Sequence, residues 1–249
     1  MSKVAIITGA GSGLGQATAV RLAEEGVNIA VVDVSEKGGN ETVEIVKKAG
    51  TDAIFIKADV SKAEEVKMYV DKTVEHFGTI DYFFNNAGIS GSGGYFLDTE
   101  VKEIDQIVGI NLLGALYGVR YVSEVMLKNG GGSIVNTASS AGVIGQDSVV
   151  TYSATKHGIV GLTKSMVAEY AKDGLRVNAI APGPTETPMV QKFYEDNPEM
   201  KANATSGIPQ KRLGTPEEVA ELVTFLLTSK AQYINGEVIR IDGGFTSTK

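Results

Sequence analysis

Short apolar runs alternate along this chain with longer stretches in which apolar residues recur at helical spacing. The runs are Val4–Ile7, Ile29–Val32, Ala53–Ile56, Ile80–Phe84, Ser133–Asn136, Arg176–Ile180 and Val238–Ile241. Their interiors are rich in Val, Ile, Ala and Phe, the composition of strands covered on both faces. Between them, residues 62–77 place Val66, Val70, Val74 and Phe77 on one helical face, and Val101–Leu127 reads as a second long helix. Ser61 with Glu64, and Thr215 with Glu218, have the spacing of capping boxes, the latter with Pro216 at the first helical position. Strand–helix alternation of this kind predicts βαβ units: a parallel sheet of about seven strands with helices on both faces. No Pro/Ser-rich linker or repeat interrupts it, so residues 1–249 are expected to form a single domain. Prolines gather between 182 and 209 among polar residues, which marks a loop-rich cover at about 185–212.

Composition narrows the chemistry. There is no cysteine, which excludes disulfides, thiolate metal sites and thiol catalysis. His76 and His157 are the only histidines, so no metal site is expected. A net charge of −7 removes general attraction to nucleic acid or anionic membranes. The apolar runs are too short to span a bilayer. The N-terminus, MSKVAIITGAG, has no signal-peptide pattern, and the expected location is cytoplasmic.

The first chemical signal is VAIITGAGSGLGQATAV, glycines directly between a strand and a helix. Gly9 permits a tight turn, Gly13 lets backbone approach a pyrophosphate, and Gly15 lets helix and strand pack closely. The N–H groups at the helix start, around Ser12, Gly13 and Leu14, then face phosphates. The second strand ends in Asp33, about 20 residues further on, where a carboxylate accepts from both hydroxyls of an adenosine ribose and repels a 2′-phosphate. No Lys or Arg stands in the glycine turn or at position 34, so the expected cofactor is NAD rather than NADP. The plainer alternative is that Asp33 only caps the turn after its strand.

The second signal is YSATKHG. Tyr152 and Lys156 are four apart and share a helix face. A phenol, with a pKa of about 10, is a poor base at neutral pH, and a nearby ammonium lowers it. An isolated YxxxK is usually an ordinary turn of surface helix; its weight here comes from its company. His157 does not share the face of Lys156 and is read as a packing or surface residue.

The glycine spacing TGxxxGxG (Thr8 to Gly15) resembles the short-chain dehydrogenase/reductase family, and the resemblance runs the length of the chain. It includes Asp59-Val60, Asn85-Asn86-Ala87-Gly88, Asn111, Ser139, the Tyr152/Lys156 pair, Pro182-Gly183 with Thr187, and Asp242-Gly243-Gly244. The resemblance implies a Rossmann-type doubly wound sheet of order 3-2-1-4-5-6-7. It makes Tyr152 the general acid–base and Ser139 the group that steadies the substrate oxygen. Ser139, not Ser140, has the family's spacing of 13 residues to the tyrosine. Lys156 holds the nicotinamide ribose, and Asn111 opens its helix and holds a proton-relaying water; without the resemblance, Asn111 is a polar residue on a solvent face. Asp59 and Val60 contact adenine, while Asn86, Ala87, Gly88, Pro182, Gly183, Thr185 and Thr187 complete the cofactor site. Thr185 departs from the Ile or Val common there.

A small-molecule substrate is expected between the cover, the loop after Asn85–Gly88 and the segment after Ser139, with walls from Tyr95, Val143, Ile144, Met189, Phe193 and Tyr194. Within the family the resemblance is to bacterial enzymes of cyclic ketones and secondary alcohols. A 3-oxoacyl-acyl-carrier-protein reductase, a sugar dehydrogenase and a non-catalytic dinucleotide sensor are the alternatives. The family also implies a homotetramer, packed through helices at about 101–127 and 151–172, where Gly109, Gly114, Gly118, Ala154, Gly158 and Gly161 suggest close helix contact.

Overall fold

The protein is described by a computed structural model that covers residues 2–196 and 205–248, the side chains of Phe193 and Asp196 excepted. Seven parallel strands form one sheet: β1 Val4–Thr8, β2 Asn28–Asp33, β3 Ala53–Lys57, β4 Tyr82–Asn85, β5 Gly132–Thr137, β6 Leu175–Pro182 and β7 Val238–Ile241. Their order is β3-β2-β1-β4-β5-β6-β7, as the family resemblance implies. The register is continuous across the centre, with Ile6 beside Ala30 on one side and Phe83 on the other. Inner strands are buried on both faces, and every residue of β1 is buried. The outermost strands differ: β3 ends in exposed Lys57, and β7 is only half-covered.

Helices α1 (Gly13–Glu24), α2 (Glu36–Lys48) and α8 (Pro216–Leu227) cover one face. Leu22, Val46, Val223 and Leu226 pack there against Ile7, Ile29 and Val31. The other face takes α3 (Ala63–Phe77), α4 (Val101–Val108), α5 (Gly114–Lys128) and α6 (Val150–Tyr170). Here Val66, Tyr69, Val119 and Met126 meet Ile6, Phe83 and Ile134. Full burial of each such side chain stabilises by about 1.5–3 kcal/mol. Arg176, on β6, turns its guanidinium to the carbonyls of Leu226, Leu227, Thr228 and Ala231, and so fixes the end of α8.

The capping box at Thr215 and Glu218 forms, with Pro216 at the first helical position. The one expected at Ser61 does not. The helix starts at Ala63 with Lys62 as its cap, so Ser61 lies one residue too early. Its hydroxyl instead donates to Asp59 Oδ1 (2.7 Å), and Glu65 accepts the Asp59 N–H (2.7 Å). The expected helix 101–127 is interrupted by a π-helical turn, Gly109–Leu113, between α4 and α5.

Three of the six small residues offered for helix–helix contact are spent inside the fold. Side chains at Gly114 and Gly118 would strike Val60 and Phe83, and one at Gly158 would strike Leu112. Ala154 and Gly161 do remain exposed. Beyond β6 the chain makes an excursion that includes α7 (Pro188–Asp196). It leaves and returns at one place: Glu186 N–H donates to Gly214 O (2.9 Å), and Gly214 N–H to Pro184 O (3.1 Å). Residues 197–204 of the proposed cover lie outside the described residues.

Candidate active site

Strand order reverses about β1, because β2 lies on one side and β4 on the other. At such a switch point the loops leaving the strands diverge and open a crevice. A cavity of about 700 Å³ lies there, lined by loops that follow β1 to β6.

Gly9 (φ +65°) and Gly13 (φ +53°) turn the chain out of β1 in the left-handed region, where a side chain would be strained. A Cβ at Gly15 would overlap the Gly9 carbonyl, so Gly15 sits under the turn as the close-packing residue and does not line the cavity. Ser12 caps α1 without a side-chain hydrogen bond, so the first N–H groups of the helix stay available at the cavity, where Ser12, Gly13 and Leu14 form the wall. The Thr8 hydroxyl accepts from Asn86 N–H (2.9 Å) and Ala87 N–H (3.1 Å), clamping the β1 turn to the end of β4.

Asp33 joins its two readings. Oδ2 accepts from Gly11 N–H and Oδ1 from Ser35 N–H, each at 2.8 Å, so the carboxylate does cap the turn. It also lines the cavity beside exposed Val34, and each oxygen keeps a further lone pair. A nearby cation, Lys57, pairs with Glu36 (3.6 Å). Asp59 and Val60 follow on the same wall. Asp59 Oδ1 is occupied by Ser61, and no described residue bonds Oδ2.

On the opposite side stand Ser139, Tyr152 and Lys156. Buried side-chain amides fix the elements that carry them. Asn85 Nδ2 donates to Ala115 O of α5 (3.1 Å) and to Asn136 Oδ1 of β5 (3.0 Å), and Asn136 Nδ2 donates to Thr163 of α6 (3.0 Å). Asn111, at the centre of the π turn, is 1% exposed and not on a solvent face. It grips one residue of the loop after β4 at both polar groups: Oδ1 accepts Ile89 N–H and Nδ2 donates to Ile89 O, both at 2.8 Å.

Lys156 is buried, with Nζ 5.5 Å from the Tyr152 ring centre. It donates to Thr137 O (2.7 Å), and no carboxylate pairs with it among the described residues. Burial therefore brings its pKa down to about 8. Tyr152 corrects the expectation of a depressed phenol. Burial pushes it up, and its hydrogen bond with Ser139 offsets only part of that. The ring is only half-buried, with an edge open to the cavity, which moderates the push. His157 is exposed, with Nδ1 2.9 Å from Ser153 O, in keeping with a surface role.

Pro182, Gly183, Thr185 and Thr187 line the far end with Asn86, Ala87 and Gly88. The Thr185 hydroxyl donates to Gly183 O (3.0 Å), so it turns back on its own loop. Of the expected substrate walls, Met189 and Tyr194 line the cavity. Tyr95 does not: it is 83% exposed. Val143 and Ile144 do not either, because the 3-10 turn Ser140–Gly142 carries them past the opening. The segment after Ser139 does reach the site, through Gln146, Asp147, Ser148 and Val149 instead. The Phe193 side chain lies outside the described residues. Ile89 and the C-terminal Phe245 complete the walls, and neither carries a motif signal. In the loop after β4, Ser92 N–H donates to Glu103 (2.6 Å) and Gly94 N–H to Ser148 O (2.9 Å).

The donor set fits a dinucleotide. Unpaired helix N–H groups, a carboxylate with open lone pairs and a buried ammonium with two uncommitted N–H bonds converge on one elongated cavity. This fold and cavity define a nucleotide-binding α/β oxidoreductase. The chain belongs to the short-chain dehydrogenase/reductase family, whose members use nicotinamide cofactors: residues 9–246 match the family described as enoyl-(acyl carrier protein) reductase. It is 44% identical to levodione reductase of Leifsonia aquatica over 97% of this chain and 93% of that one. It is 39% identical to cyclohexanol dehydrogenase of Acinetobacter sp. (strain SE19), over 99% and 96%. The crystal structure of levodione reductase superimposes with a TM-score of 0.95 at 43% identity, covering 99% of this chain and 98% of that one. The 3-ketoacyl-(acyl-carrier-protein) reductase of Brucella melitensis, complexed with NADH, gives 0.92 at 33% identity, covering 98% of each chain.

Proposed function

We propose that this protein is an NAD(H)-dependent dehydrogenase/reductase of small or cyclic secondary alcohols and ketones. The observation that carries the reading is one cavity with Asp33 at one end and Ser139, Tyr152 and Lys156 at the other. Asp33 accepts the two adenosine ribose hydroxyls, and its charge disfavours a 2′-phosphate. Asp59 and Val60 receive the adenine, and the N–H groups at the start of α1 receive the pyrophosphate. Lys156 holds the second ribose with the N–H bonds that Thr137 leaves uncommitted. Thr185 and Thr187 border the carboxamide.

When bound, the nicotinamide supplies the hydride acceptor or donor and, oxidised, a positive charge beside Tyr152. As the phenolate, Tyr152 Oη takes the alcohol proton in oxidation, and as the phenol it gives one to the carbonyl oxygen in reduction. The Lys156 ammonium, 5.5 Å from the ring centre, favours the phenolate against the upward push of burial, and the charge of an oxidised nicotinamide would add to that. Ser139 Oγ donates to the substrate oxygen as charge develops there. With its side chain committed to Ile89, Asn111 would hold the relaying water between itself and Lys156 through the backbone that the π turn opens. The described parts of the cover, 185–196 and 205–212, close over cofactor and substrate. A homotetramer would cover exposed Leu113 at the end of the π turn, Leu116 on α5 and Val150 on α6.

Assay of NADH formation from NAD, and NADPH from NADP, over a panel of alcohols tests the reading. Strong NAD-linked turnover of cyclohexanol or a simple secondary alcohol is expected. Turnover only of a 3-hydroxyacyl thioester with NADP would overturn it in favour of the carrier-protein reductase. Tyr152→Phe is expected to abolish turnover and leave NADH binding intact.

A further inference from the structure

The cavity that holds Tyr152 has two unlike stretches of wall. One is apolar, formed by Ile89, Met189, Tyr194 and Phe245. The other is Gln146, Asp147 and Ser148, on the loop that leaves Ser139 and enters the helix of Tyr152. Gln146 is half-buried and Asp147 is exposed at the cavity mouth, and the side chain of neither bonds another described residue. The backbone next to them is strained. Ser148 has φ +63°, an uncommon value for a residue with a side chain, and its carbonyl is pinned by Gly94 N–H (2.9 Å). The cavity's charges lean one way. Asp33, Asp59 and Asp147 line it, and Lys156 is the one cation among its described lining residues.

We propose that Gln146 and Asp147 form a second recognition point for a hydroxyl group near the reacting carbon. The preferred substrates are then vicinal diols or α-hydroxyketones with an apolar remainder, and anionic secondary alcohols are turned away by the Asp147 charge. This rests on the reading of the site as a secondary alcohol dehydrogenase. Asp147 accepts a hydrogen bond from that hydroxyl, and the Gln146 amide can donate one to its oxygen. A sugar would leave several hydroxyls against the apolar wall without partners, which costs more than the second site returns. A simple alcohol fits the apolar wall and leaves the second point to water.

The test compares trans-1,2-cyclohexanediol, cyclohexanol and 3-hydroxybutyrate with NAD, in the wild type and in Asp147→Ala, Asp147→Asn and Gln146→Leu. The diol is expected to exceed cyclohexanol about tenfold in kcat/KM, mainly through KM. Asp147→Ala and Gln146→Leu should bring that ratio near one. Asp147→Asn keeps an acceptor and should retain part of the ratio, while activity on 3-hydroxybutyrate rises. A ratio that is the same in all four proteins overturns the proposal and leaves the dehydrogenase reading intact. If no alcohol is turned over with NAD, that reading fails instead, and thermal shift with the diol decides. A shift present in the wild type and lost in Asp147→Ala supports the hydroxyl site, and no shift in the wild type overturns it. Melting temperatures of the variants, taken without ligand, separate a lost contact from a lost fold.

Discussion

Lys156 gives the sharpest test of the site's physics, because its position makes the folded protein less stable than it need be. The ammonium is 3% exposed and donates to the Thr137 carbonyl. Burial lowers its pKa from 10.5 to about 8. At about 1.4 kcal/mol for each unit, carrying that charge below pH 8 costs the fold roughly 3 kcal/mol. Lys156→Met removes the charge at similar volume but strands the Thr137 carbonyl, which returns about 1–2 kcal/mol of the gain. The variant should therefore be more stable at pH 7 by about 1–2 kcal/mol, some 2–8 °C in melting temperature for a chain of this size. The pH dependence fixes the cause. Between pH 8 and 10.5 the unfolded chain still holds a proton that the folded lysine has released, so wild-type stability rises through that window relative to the variant. Urea denaturation of both proteins at pH 7 and pH 10, at one protein concentration, measures the difference, and other titrating groups cancel. A variant no more stable at pH 7, with a difference that does not move by pH 10, would refute an unpaired buried ammonium.

Asp33→Ala should lose on two accounts. It removes the caps of Gly11 and Ser35, lowering stability by roughly 2 kcal/mol in denaturation, and it should relax the preference for NAD over NADP; an unchanged cofactor ratio would contradict the ribose role. Ser148→Gly relieves the left-handed residue and should raise stability by up to about 1 kcal/mol, whereas Ser148→Val should lower it; equal melting temperatures would show that no strain is stored there. Arg176→Met removes the guanidinium from five carbonyls at and just beyond the end of α8, those of Leu226, Leu227, Thr228, Ala231 and Ile234, and should cost roughly 2–4 kcal/mol in urea unfolding. Limited proteolysis should cut 185–212 more slowly with NAD bound; equal rates would argue against a closing cover.

Most of the fold was legible because its signals are local. Buried parallel strands write themselves as apolar runs, and the glycines at 9, 13 and 15 answer to backbone geometry within one turn. Readings failed where the outcome depended on a neighbour distant in sequence or on a turn whose geometry residue type does not dictate. Gly114 and Gly118 look like contact residues until Val60 and Phe83 are seen against them. Val143 and Ile144 look like pocket walls because they are apolar, but a 3-10 turn decides which residues of that segment face inward. Phe245 could not be placed from its own surroundings. Asp242 accepts from Gly244 and Thr246 N–H and folds the C-terminus back to the site. Asp33 was read as either cap or ligand, and its carboxylate has capacity for both.

The paired hydrogen bonds between the 184–186 strip and Gly214 close the excursion after β6 at its neck. Closing a flexible loop becomes only slowly more costly as it lengthens, about 0.6 kcal/mol for each doubling. Beyond the neck the segment is moored a second time, by buried Ile208 and by Gln210 N–H, which donates to Gly243 O (3.3 Å). Between neck and mooring it contributes Met189 and Tyr194 to the cavity. Substitutions at those two positions can therefore retune which alcohols are accepted, while the neck, the mooring and the sheet keep their places.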